Sequence, residues 1–176
     1  MKTNVALIGF MGTGKTVVGK VLAEKLNKEF VELDSLIEQK ARKSIPDIFQ
    51  QDGEIAFREL EIEVTKEVSD RKNLVIACGG GIVLNKINID RLREEAIIVY
   101  LIASPELILK RVLNEEGQRP LLNTPNKASE IQRLLKFRKP FYNRAADIKI
   151  DTSRLDIDSV AEQILGKLKE DEGFHS

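Results

Sequence analysis

The stretch Gly9-Phe10-Met11-Gly12-Thr13-Gly14-Lys15-Thr16 constrains the fold more than any other part of this chain. It fits G-x-x-x-x-G-K-[ST] and lies between a strand-like run, Val5–Ile8, and a helical stretch from about Gly14 to Leu26. Its glycines let the backbone turn tightly, so that several N–H groups can point at phosphate oxygens. The helix that follows adds the partial positive charge of its N-terminus. Gly12, Thr13, Gly14, Lys15, Thr16 and Val17 are therefore the expected nucleotide contacts. Lys15 reaches the β- and γ-phosphates, and the Thr16 hydroxyl ligates Mg²⁺. The alternative is a strand–turn–helix junction that matches the pattern by chance.

The rest of the chain repeats the alternation that the loop begins. Apolar runs of strand length, Phe30–Leu33, Leu74–Cys78, Ile97–Leu101 and Ile148–Ile150, alternate with stretches of helical length. That is the pattern of a parallel α/β sheet. Helices are expected over Ser35–Arg42, Glu54–Val68, a stretch capped by Ser104 with Pro105 at its first position, Ala128–Ala146 and Ile157–Lys169. Pro46–Gln51 reads as a short helical turn. Pro140 should break or kink its helix. Asn114–Asn126 is polar and turn-rich, so the region 113–126 is expected to be a mobile lid. Glu170–Ser176 is a polar tail expected to fray.

With 176 residues and no repeat or linker, residues 1–176 read as one domain. Lys+Arg and Asp+Glu each count 28, which argues against a broad nucleic-acid surface. No apolar run approaches bilayer length, and Met1-Lys2-Thr3 leads into the first strand without a signal-peptide pattern. Cys78 is the only cysteine and reads as a buried strand residue. A cytoplasmic protein without membrane or nucleic-acid partners is expected. The motif N-K-x-D that reads guanine is incomplete at Asn85-Lys86-Ile87-Asn88. A pair of acids spaced i, i+2 follows only one strand, in Phe30-Val31-Glu32-Leu33-Asp34, directly after the loop's helix. One of that pair can face Mg²⁺ and the other a substrate, or Asp34 can simply cap a helix.

Further segments lie in order behind the loop: Glu32-Leu33-Asp34-Ser35-Leu36-Ile37-Glu38, then Ile48-Phe49 through Gly53-Glu54 to Phe57-Arg58 and Glu61, then Gly79-Gly80-Gly81, Arg119-Pro120-Leu121-Leu122 and Arg138-Lys139-Pro140-Phe141-Tyr142. In this series the whole chain resembles the shikimate kinases. The resemblance implies a three-layer fold with a five-stranded parallel sheet in the strand order of nucleoside monophosphate kinases. It also implies transfer of the ATP γ-phosphate to a hydroxyl of shikimate, in the chorismate route to aromatic amino acids, by a monomeric enzyme with Mg²⁺.

Shikimate is a ring bearing one carboxylate and three hydroxyls. Planar guanidinium groups match a carboxylate through paired charge-assisted bonds, which suits Arg58 and Arg138. Asp34 can accept hydrogen bonds from hydroxyls and take a proton. The backbone of Gly79, Gly80 and Gly81 can lie close to the ring. Residues 34–62 form the expected substrate segment, where the resemblance implies that Phe49 and Phe57 flank the pocket and Glu61 orients Arg58. By the same resemblance Arg119 covers the phosphates, Arg111 stacks on adenine and Arg154 borders the base.

Each assignment has a plainer reading. Phe49 and Phe57 can be core, Arg58 and Glu61 a surface ion pair, Arg138 a solvated charge and Arg111 a helix-end cation. The family usually carries Asp where this chain has Glu32, so the contact to a Mg²⁺-bound water is expected to shift. Alternative functions are a gluconate-type or nucleoside monophosphate kinase, or a non-catalytic nucleotide-binding module.

Overall fold

The computed structural model describes residues 1–114 and 120–175. Five strands, β1 (Asn4–Ile8), β2 (Glu29–Glu32), β3 (Leu74–Ala77), β4 (Ala96–Ile102) and β5 (Ile148–Asp151), form one sheet in the order β2-β3-β1-β4-β5. Every pairing is parallel. Helices fill the crossovers: α1 (Lys15–Leu26), α2 (Leu33–Ala41), α3 (Ile45–Gln51), α4 (Gly53–Ser69), α5 (Lys86–Glu95), α6 (Pro105–Asn114), α7 (Lys127–Ala145) and α8 (Ile157–Glu170).

Side chains alternate across each strand, and the two sets build two cores. Ala6, Ile8, Ile76, Ile98 and Tyr100 pack under α2, α4, α5 and α7, with Leu33, Ile37, Val64 and Tyr142. Val5, Leu7, Val75, Ile97, Val99 and Leu101 pack under α1 and α8, with Val18, Leu22, Ile164 and Leu168. Central strands buried on both faces explain why their sequences are apolar throughout. The edge strands carry Glu29, Lys149 and Asp151 at exposed positions, which blunts further pairing.

Several boundaries differ from the sequence reading, each for a physical reason. Helix α2 begins at Leu33, so Asp34 lies in the first turn and Glu32 is the N-cap. Helix α5 has no counterpart in the sequence reading. Its buried face includes Asn88, a polar residue that interrupts the apolar period. Helix α7 runs through Pro140 without ending. Both Pro140 and Lys136, whose carbonyl loses its usual donor, are exposed, so water can take that bond.

The tail docks instead of fraying. Phe174 forms a parallel bridge with Lys2, and His175 N–H donates to the Lys2 carbonyl at 2.8 Å. The Phe174 ring packs on the α1/α8 core with the Lys28 ammonium 5.3 Å from its centre.

A third core lies beneath the phosphate loop, where Phe10, Ile108, Val112, Leu122, Ile131 and Leu134 meet between α6 and α7. Leu122, within the region expected to be a mobile lid, is 1% exposed. Burying a leucine contributes about 1.5–3 kcal/mol, enough to tether the segment at this end. Residues 115–119 of the expected lid, Arg119 included, lie outside the described residues.

Candidate active site

Strand order decides where each functional segment emerges. The C-terminal ends of β2, β3, β1, β4 and β5 lie side by side, so Asp34, Gly79–Gly81, the phosphate loop, α6 and the loop before α8 line one edge in that sequence. Open parallel sheets bind ligands along this edge.

In the centre, β1 feeds the loop. Gly9, Gly12 and Gly14 hold φ of 151°, 75° and 92°, a region that side chains other than glycine enter at a cost. Gly14 is the N-cap of α1. The buried Thr13 hydroxyl donates to the Phe10 carbonyl at 2.8 Å. Lys15 Nζ donates to the Gly9 and Phe10 carbonyls at 2.8 and 2.9 Å, which keeps the lysine folded over its own loop. The Thr16 hydroxyl donates to Glu32 Oε1 at 2.6 Å, and Ser35 Oγ donates to Glu32 Oε2 at 3.1 Å.

Thus Glu32, where the family usually has Asp, reaches Thr16 directly. Hydroxyl and carboxylate oxygens beside a phosphate cradle are hard donors of the kind Mg²⁺ takes together with phosphate oxygens and water. Among the described residues no group of three or more His, Cys, Asp or Glu forms a cation site by itself.

Three connected compartments follow. The first, about 340 Å³, is lined by Gly12, Thr13, Gly14, Val17 and Arg111 and, from the far side, by Thr152, Leu155 and Ile157. Arg111 Nη1 donates to the Gly12 carbonyl at 2.9 Å, so this arginine braces the loop. Val17 and Ile157 are 46% and 44% exposed, an apolar shelf facing solvent. Arg154 is exposed and does not line this compartment, although Thr152 and Leu155 beside it do. From this segment the sequence reading named only Arg154 and missed the wall of Thr152, Leu155 and Ile157. No motif marks it, and only its place after β5 in the strand order could have revealed it.

The middle compartment, about 230 Å³, gathers Lys15, Thr16, Glu32, Asp34, Gly79 and Gly80. Cys78 also borders it, but is 3% exposed, and burial pushes its thiol pKa far up, so it stays a neutral thiol.

The third compartment, about 100 Å³, brings together Asp34, Phe49, Phe57, Arg58, Glu61, Gly79, Gly80, Gly81 and Arg138, with Leu121 at its mouth. The Phe49 and Phe57 rings sit 4.9 Å apart and serve both as wall and as core. Arg58 pairs with Glu61 at 3.0 Å and with Glu54 at 3.3 Å. Glu61 is 1% exposed, so this is a buried bridge and not a surface pair. Burial raises the Glu61 pKa above the usual glutamate value, against the pull of Arg58. Arg138 is 2% exposed and lies 5.7 Å from the Phe10 ring centre, so it is not a solvated charge. Glu61 Oε2 and Arg138 Nε are buried without a hydrogen-bond partner.

The glycine loop passes close to all of these groups. A Cβ at Gly81 would lie 2.5 Å from Arg58 Nη1, and one at Gly79 would lie 2.8 Å from Asp34 Oδ1. Tyr142 fixes the loop from below by donating its hydroxyl to the Gly80 carbonyl. Burial raises the Tyr142 pKa, which keeps that donor protonated. A small pocket with two guanidinium groups, two carboxylates and bare backbone suits a compact ligand carrying both an acid and hydroxyl groups.

The chain is similar over nearly its full length to shikimate kinases. The family model described as shikimate kinase matches residues 11–169. The shikimate kinase of Thermoanaerobacter pseudethanolicus is 44% identical over 162 residues, which cover 92% of this chain and 94% of that protein. That of Pelotomaculum thermopropionicum is 42% identical over 167 residues, 95% of this chain and 96% of that protein. Among solved structures, shikimate kinase from Acinetobacter baumannii in complex with shikimate superposes with a TM-score of 0.93. It is 38% identical, and the match covers 98% of this chain and 96% of that one.

Proposed function

The chain belongs to the shikimate kinase family, and from that premise we propose that it transfers the γ-phosphoryl group of ATP to a hydroxyl of shikimate. One observation supports this substrate above others: Arg58 and Arg138 converge on the Gly79–Gly81 loop opposite Asp34. The arginines hold the carboxylate, and Asp34 and the glycine backbone hold the ring hydroxyls.

ATP lies along the remaining edge of the sheet. Its base rests against Val17, Ile157 and Arg111, with Arg154 at the border, and its phosphates against the amides of Gly12–Thr16. Lys15 exchanges its carbonyl contacts for the β- and γ-phosphates. Thr16, whose hydroxyl donates a hydrogen bond to Glu32, would hold Mg²⁺, and the ion when bound would offset the charge of the phosphates. The acceptor hydroxyl attacks the γ-phosphorus as the bond to the ADP oxygen breaks. Asp34 orients that hydroxyl and accepts its proton. Arg119 is assigned by the family resemblance to the transferring group, at the end of a segment that closes as a lid. Positioning and charge stabilisation supply most of the acceleration.

No helix among the described residues is long and apolar enough to cross a membrane. A monomeric enzyme of the cytoplasm that acts on small molecules is part of the same proposal. The experiment is ADP release with shikimate, gluconate or nucleoside monophosphates as acceptor. Shikimate should raise the rate roughly tenfold or more over no acceptor. Equal rates with and without it, alongside tight ATP binding, would instead identify a nucleotide-binding module.

A further inference from the structure

Within the phosphate-loop pattern, position 10 is unspecified, yet this chain places a phenylalanine there. A loop that cradles phosphate has no need of an aromatic ring, and Phe10 does not face the phosphates. It is 1% exposed and sits in the core shared by α6, α7 and Leu122. Above it, 5.7 Å from the ring centre, lies the guanidinium of Arg138.

Arg138 differs from its neighbour Arg58 in how it is held. Arg58 is fixed by Glu54 and Glu61. Arg138 forms no ion pair among the described residues, and its Nε has no hydrogen-bond partner, although the residue is 2% exposed. Beside the Tyr142 side chain and the charge of Glu61, the face of the Phe10 ring supplies this buried guanidinium with a further attractive surface. It does so without neutralising the charge, which stays available for an anion.

We infer that Phe10 is a positioning residue for the acceptor: its ring holds the Arg138 guanidinium in place, so that the phosphate loop itself carries half of the carboxylate clamp. The main chain of Phe10 meanwhile serves the other substrate, since its carbonyl receives Lys15 Nζ and the Thr13 hydroxyl. Replacing the side chain alters the first task and spares the second. The inference rests on the proposed role of Arg138 as a clamp for the shikimate carboxylate.

Phe10→Leu keeps an apolar side chain in the core but removes the aromatic face, and Phe10→Tyr restores the face. Calorimetric titration with shikimate and with ADP separates the two tasks. Shikimate binding to Phe10→Leu should weaken about three- to thirty-fold, the range of a desolvated cation–ring contact, with ADP affinity within about twofold of the parent. Phe10→Tyr should recover most of the loss. In an Arg138→Ala background, Phe10→Leu should cause no further loss of shikimate affinity. Equal losses in both backgrounds would overturn the inference and make Phe10 a packing residue, as would ADP binding that falls in step with shikimate. Should Phe10→Leu fail to fold, Phe10→Met in the same cycle decides the matter. Shikimate binding by the parent that is unchanged in Phe10→Leu sinks the role of Phe10 alone, whereas no binding by the parent sinks the substrate assignment too.

Discussion

The two ends of the cleft are built on opposite principles. At the acceptor end, charges are buried and cross-braced: Glu61 and Arg138 are 1% and 2% exposed, and Tyr142 anchors the Gly80 carbonyl. At the proposed nucleotide end, Val17 and Ile157 are 46% and 44% exposed beside the glycine-rich turn of Gly12, Thr13 and Gly14. A small polyol acid offers little apolar surface, so its recognition needs charges fixed in advance, which only the packed interior can provide. A nucleotide brings a large flat base and several phosphate charges, so an apolar shelf and one glycine-rich turn suffice.

That contrast can be broken at its centre. Asp34→Asn should lower turnover by about 10²- to 10⁴-fold while circular dichroism shows the native fold, because the amide cannot accept the acceptor proton. Turnover within about threefold of the parent would reduce Asp34 to a residue of the first turn of α2.

The next effect should be confined to one end at a time. Arg58→Ala and Arg138→Ala should each weaken shikimate binding about ten- to a hundred-fold and leave ATP affinity nearly unchanged. The reciprocal substitution, Val17→Ala, trims the shelf. At about 0.8 kcal/mol per buried methylene it should weaken ATP about three- to tenfold and spare shikimate. Titrations of both ligands against all three variants test the division, and cross-effects of equal size would abolish it.

The smallest effect sharpens the electrostatics of the acceptor end. Burial raises the pKa of Glu61, so as pH falls its charged form, the one that holds Arg58, is lost sooner than for an ordinary glutamate. Shikimate affinity should therefore decline on an acid limb above the usual carboxylate range, and Glu61→Gln should flatten that limb. The native state binds this proton more tightly than the unfolded chain. The stabilising contribution is thus complete below the unfolded pKa and disappears as pH rises through the raised native value. Thermal melts should show Glu61→Gln gaining on the parent as pH is raised above the usual carboxylate range.

By itself the sequence determined whatever is local. The phosphate loop was legible because its requirements fall on consecutive residues from Gly9 to Thr16 between a strand and a helix. The layered α/β class was legible because buried strands and amphipathic helices have different periods. The acceptor residues became legible through resemblance to a family, since no spacing rule links Asp34, Arg58, Gly79 and Arg138. Tertiary structure decided the rest. The order β2-β3-β1-β4-β5 carries Asp34 and Gly79–Gly81 to one side of the loop and the Thr152–Ile157 wall to the other. It also buried Asn88 in an unforeseen helix, let solvent satisfy the turn at Pro140 and docked Phe174 against the sheet. These outcomes depend on which surfaces meet, a property of the packed chain that no short window of sequence contains.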